Sequence, residues 1–193
     1  MPLNDAFETG EPYSGGEIAA NLRRLHEESE RFLAALSPKV FVTPQGEKWS
    51  PADHVRHLAK STFPLPRALG FPKVLIRLRF GGHRGASRSF VALREDYRGR
   101  LRAGGTAGKF APAPKPLPDD PEAYRLRVLA AWRTAATSLH SEILRWPEPA
   151  LDRYRLPHPL LGSLTVREML FFTLYHNAHH LNLVASRSRP APE

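Results

Sequence analysis

The sequence predicts an all-α protein, a four-helix bundle with long crossover connections and one or two extra short helices between the second and third bundle helices. Four capping signatures each open an apolar stripe at helical spacing, and two proline-rich stretches divide the stripes. No alternating segment has an obvious strand partner. At 193 residues the chain fits one domain over 1–193, with disordered or extended ends at about 1–13 and 187–193.

Ser14 followed by Glu17 opens the first helix, because a short hydroxyl and an acid three residues on satisfy each other's free backbone amides. Ile18, Leu22, Leu25, Phe32 and Leu36 form its stripe. Ser50 with Asp53, and Pro51 preset at the first helical position, opens the second through His54, His57 and Leu58; Pro64 and Pro66 bend or end it. Val74, Ile76, Leu78 and Phe80 alternate as a strand would, but a lone strand lacks a partner, so Pro72 to Phe80 reads as helix. Phe90, Leu93, Tyr97 and Leu101 recur at helical spacing, with Gly104 and Gly105 as the stop, so Ser89 to Arg102 is a short amphipathic helix. Asp120 and Pro121 open the third bundle helix, with Tyr124, Val128, Trp132, Ala135, Leu139 and Ile143 facing inward, and Thr165 with Glu168 opens the fourth. Residues 106–120 and 147–162 read as extended connections.

Function concentrates in the fourth helix. His176 and His180 stand at i and i+4, with Cβ atoms about 5–6 Å apart on one face, a reach suited to one metal ion. They continue the inward line of Val166, Met169 and Thr173, whereas His179 is rotated toward the flank. Imidazoles on an inward stripe need pairing, hydrogen bonds or a metal. The second helix offers His54 and His57 on neighbouring faces, and periodicity does not choose between them. With no cysteine in the chain, disulfides, thiol nucleophiles and thiolate metal sites are excluded, so a metal would be held by nitrogen and oxygen.

The helix start Trp49-Ser50-Pro51-Ala52-Asp53-His54-Val55-Arg56-His57-Leu58, followed by Gly162-Ser163-Leu164-Thr165-Val166-Arg167-Glu168-Met169 and then His176-Asn177-Ala178-His179-His180, resembles the DinB-like superfamily of metal-binding four-helix bundles. The likeness covers the whole helical frame. It implies a divalent metal, with zinc, nickel or iron as the candidates, held by three histidines and leaving one open position for water. The family's second-helix ligand stands directly before a leucine, which matches His57, and the C-terminal pair matches His176 and His180. His54 and His179 would be neighbours of the site, with proton transfer as their candidate catalytic role. The resemblance implies a metal-dependent transferase using a low-molecular-weight thiol, or a hydrolase, acting on a small-molecule substrate.

The net charge of +9 narrows the alternatives, because the whole excess lies between Arg67 and Lys109, where eleven basic residues meet two acidic ones. Such a segment can recruit an anionic thiol, or it can serve a non-catalytic nucleic-acid-binding or scaffold protein of the stress-response kind. Within it, His83, Arg84 and Arg88 flank glycines in a candidate anion-binding loop that lacks the Lys-Ser/Thr ending of a P-loop. A homodimer through an apolar helix face is expected. The chain has no apolar run of about 18 residues and no signal-peptide pattern at its start, so a cytoplasmic protein without a membrane segment is expected.

Overall fold

The structure is a computed structural model in which residues 6–44 and 46–188 are described. Four long helices make the bundle: α1 (Gly15–Ala35), α3 (Pro51–Thr62), α7 (Pro121–Leu144) and α9 (Val166–Ser188). Each of α1 and α3 packs on both α7 and α9, so the order around the bundle is α1, α7, α3, α9. Shorter helices fill the connections: α2 (Pro38–Val42), α4 (Pro64–Gly70), α5 (Lys73–Phe80), α6 (Phe90–Arg102) and α8 (Glu148–Arg153), with a 3-10 turn at Gly108–Phe110.

The caps form as the sequence indicates. Ser14 and Glu17 make a reciprocal capping box, and Ser50 and Asp53 make another. Asp120 accepts from the Ala123 amide, and at α9 Thr165 Oγ1 accepts from the Glu168 amide while Glu168 Oε2 accepts from the Thr165 amide. Pro72 to Phe80 resolves as helix, with only Ile76 of α5 buried.

The stretch 147–162 corrects the expected extended connection. Pro147 and Pro149 precede and enter α8 instead of breaking the chain, because a first helical turn has no amide bond for proline to forfeit. β1 (Arg155–His158) then pairs antiparallel with β2 (Gly162–Thr165), with His158 opposite Gly162. Gly162 at φ +74° takes a left-handed conformation that a side chain would resist. This hairpin leads directly into α9 and packs on it.

Helix α9 is enclosed by α1, α3, α6, α8 and the hairpin, so its burial runs almost all round rather than along one stripe. Its first turn even buries an arginine. Arg167 is 1% exposed and donates to Asp152, to Glu148 and to the Tyr13 carbonyl. Farther along, Asn182 clasps the N-terminal segment by accepting from the Phe7 amide and donating to the Phe7 carbonyl. Phe7 is buried there against Phe32. The expected loose ends at 1–5 and 189–193 lie outside the described residues, while Arg187 and Ser188 belong to the last turn of α9.

Candidate metal centre

Helix α3 brings His54 and His57 to the face of α9 that carries His176 and His180, and all four imidazoles are buried. Each second-helix histidine meets a different partner. His57 Nε2 lies 3.0 Å from His176 Nε2, and His54 Nδ1 lies 2.9 Å from His180 Nδ1. Trp49, at the mouth of α3, places its ring against His54, His57 and His180 and stacks nearly parallel on the last.

Three of these residues converge. His57, His176 and His180 each offer one ring nitrogen, and the three nitrogens lie within 4.8 Å of one another. Tetrahedral nitrogen ligands at about 2.0–2.1 Å from an ion stand about 3.3 Å apart, which falls inside that spread. The tautomer of His57 also suits a metal: the Phe110 carbonyl can only accept, so Nδ1 carries the hydrogen at 2.9 Å and Nε2 presents a bare lone pair. His180 has its Nδ1 engaged with His54, which leaves Nε2 as the other ring nitrogen. Burial pushes the pKa values of His57, His176 and His180 below the ordinary imidazole range, so the cluster is held in the neutral, ligand-competent form. His54 is pushed down to about 4, first by burial and then by the charge of Arg187.

Periodicity left His54 and His57 open, and the structure places the two differently. His57 joins the three-nitrogen group, and His54 sits behind His180. His179 is half-buried on the flank, with its ring stacked on Tyr175 and against His180.

A cavity of about 410 Å³ opens over the cluster. Its walls come from α3, α4, α6, the 3-10 turn, the hairpin and α9, and none of its lining residues is Asp, Glu, Lys or Arg. Cations stand at its edge instead: Arg79 lies over the Phe80 ring and Lys109 over the Phe110 ring, and both rings line the cavity. One lining residue, His158, has no evident role in the sequence pattern, because Pro157-His158-Pro159 reads as a loop until the hairpin is seen.

The candidate anion loop is used differently. Arg88 pairs with Glu168 at 2.8 Å and with Asp96 at 2.8 Å, so its guanidinium fastens the start of α9 to α6. Ser87 adds bonds to Asp152 and Thr165. His83 Nε2 reaches the Ala86 carbonyl at 3.4 Å, and Arg84 is exposed. Glu168, with oxygens taken by Arg88 and the Thr165 amide, is structural.

The family model for the DinB superfamily matches residues 38–184, which include α3, the hairpin and the histidines of α9. The chain belongs to the DinB superfamily. The crystal structure of TT2238, described as a four-helix bundle protein, is similar to this DinB chain at a TM-score of 0.53 and 19% identity, covering 90% of this chain and 99% of the other. That likeness shows the fold. No curated protein matches the sequence significantly. Membership and the buried three-histidine group together are compatible with metal binding, and among the described residues no helix is long and apolar enough to cross a membrane.

Proposed function

We propose that His57, His176 and His180 hold a divalent metal ion at the floor of the cavity and that the protein is a metal-dependent transferase for a low-molecular-weight thiol, or a hydrolase. The observation that carries this reading is the convergence of three neutral, buried imidazole nitrogens beneath an open cavity. A bound metal supplies Lewis acidity, lowering the pKa of a thiol or water brought to it. The residues of the chain do the rest. The Phe110 carbonyl orients His57, His54 orients His180, and Trp49 covers the cluster from the side. Arg79 and Lys109 at the edge suit an anionic thiol whose charges stay outside while its sulfur enters.

The nucleic-acid alternative draws less support, since Arg88, Arg94, Arg98 and Arg100 all have carboxylates of Glu95, Asp96 or Glu168 beside them. Elemental analysis decides the metal. Purified protein is expected to retain about one divalent ion per chain, and the His176→Ala, His180→Ala double variant none. Equal metal content in the two, or none in either after incubation with zinc, nickel or ferrous iron, sinks the proposal.

The homodimer reading is supported by α4, α5 and their junction, where Phe63, Phe71, Val74, Leu75 and Leu78 are exposed together. Light scattering is expected to give twice the chain mass for the native protein and the single-chain mass for Leu78→Glu. A native monomer removes this proposal.

A further inference from the structure

His158 lines the cavity outside the three-histidine group, and the backbone fixes the place of its ring hydrogen. Its Nδ1 accepts from the amides of Leu160 at 3.2 Å and Leu161 at 3.0 Å, in the turn between β1 and β2. A nitrogen that accepts two N–H groups carries no hydrogen of its own, so the neutral ring bears its hydrogen on Nε2. Protonating Nδ1 would break both bonds, and burial independently pushes this histidine down to about 4. The ring packs edge-on against Phe172 at 4.1 Å between centroids, while Phe172 stacks on His176 at 4.9 Å. A single aromatic ring therefore separates His158 from the three-histidine group.

Among the described residues Nε2 has no hydrogen-bond partner, and although His158 is only 8% exposed this atom is not sealed in the interior, so it opens to the cavity that the ring lines. A donor so placed is available to an acceptor that enters the cavity. The cavity around it offers rings, aliphatic chains and the hydroxyl residues Ser61, Thr106 and Thr173, and no Asp, Glu, Lys or Arg. Tyr97, whose ring also packs edge-on with Phe172, stays un-ionised, with burial raising it to about 12.

Resting on the reading that substrate reaches the metal centre through this cavity, we propose that His158 is a substrate-binding residue that donates Nε2–H to an uncharged oxygen. The molecule it receives is mainly apolar and carries one carbonyl-type acceptor. In a thiol transferase this is the second substrate, lodged in the cavity while the charged parts of the thiol stay at the edge. A fixed neutral imidazole serves better here than a cation, because it polarises an oxygen without demanding a counter-charge in an apolar wall.

Two measurements on the full chain, both made in the presence of a chelator, test the proposal without using activity or metal. Long-range proton–nitrogen spectra of labelled protein, with His158 assigned by its loss in His158→Asn, are expected to show the Nε2–H form throughout about pH 5–8. Imidazolium or an Nδ1–H form in that range overturns the proposal. The second measurement titrates acetophenone, toluene and benzoate. His158→Asn keeps an acceptor oxygen for the Leu160 and Leu161 amides and takes the donor away from the Nε2 position, its own NH2 standing back where the ring's Cδ2 was, and the toluene arm reports any change in packing from the lost ring atoms. Native protein is expected to bind acetophenone about tenfold more tightly than this variant does, with toluene affinity unchanged between the two and benzoate weaker than acetophenone. Equal acetophenone binding in the two proteins, no binding to either, or preference for benzoate overturns it. Failure of the metal reading leaves these outcomes untouched, and a protein that holds its metal but fails them loses only the His158 assignment.

Discussion

Arg167→Ala is expected to destabilise the protein by about 2–4 kcal/mol, somewhat below the range for breaking a fully buried ion pair, because the Asp152 and Glu148 side chains are 20% and 49% exposed. The guanidinium is 1% exposed and reaches Asp152 through two nitrogens, Glu148 through another, and the carbonyls of Tyr13 and Glu148. It thereby joins the start of α9 to α8 and to the residue before the cap of α1. Its loss leaves the carboxylate of Asp152 with the Ser87 hydroxyl alone among these donors and opens a void where the buried side chain stood. At about 2–4 °C per kcal/mol for a domain of this size, the melting temperature falls by roughly 10 °C. Arg133→Ala is the control. That side chain pairs with Glu30 but is 59% exposed, so its removal costs about 0–1 kcal/mol. Equal melting temperatures for the two variants would show that Arg167 is replaceable by solvent.

Acid is expected to unfold the metal-free protein well above the pH at which carboxylates alone would do so. His26, His54, His57, His158, His176 and His180 all have lowered pKa values, with burial the largest cause in each, and His54 and His158 reach about 4. An unfolded chain takes up protons at about 6.5 on the same residues. The unfolded state therefore binds more protons than the folded one between about 6.5 and 4, and stability falls with pH across that window. Above about pH 7 this contribution is fully present. His54 and His158 each account for something on the order of 2–3 kcal/mol of the loss, against a typical total stability of about 5–15 kcal/mol. Asp152 and Glu168 extend the decline to lower pH: burial would raise them, but bonds from Arg167 and Ser87 to the first and from Arg88 and Thr165 to the second prevail and hold both below the ordinary range. Urea denaturation at about pH 8, 6 and 5 checks this. A flat stability between about pH 7 and 5 would refute it.

The bundle was legible because its helices announce themselves locally, through capping pairs at Ser14, Ser50 and Thr165 and through stripes such as that of Val128, Trp132 and Leu139. His176 and His180 were legible for the same reason, since i and i+4 share a face whatever surrounds them. Choosing His57 over His54 by residues alone was not, because the two differ by less than one turn and both end up buried against α9. Only the approach of α9 separates their partners. The hairpin was hidden because two four-residue strands pack on a helix instead of a sheet, and prolines that read as interruptions serve as a helix start at Glu148–Arg153. Arg167 carries no such signal: the capping pair is Thr165 and Glu168, and Arg167 is one of the two residues between them, yet it holds more bonds than either.

The sequence distances spanned by these contacts bear on how the protein is made. His57 meets His176 across 119 residues, His54 meets His180 across 126, Arg167 meets Tyr13 across 154, and Asn182 meets Phe7 across 175. Every one of them needs α9. Loop closures of this length are entropically slow and are rewarded only when both ends are present. A nascent chain that has completed α1, α3 and α7 carries half of each contact and none of the cluster. The three-imidazole group therefore arises with α9 docking, and a divalent ion added during refolding should act on the last docking event rather than on early collapse.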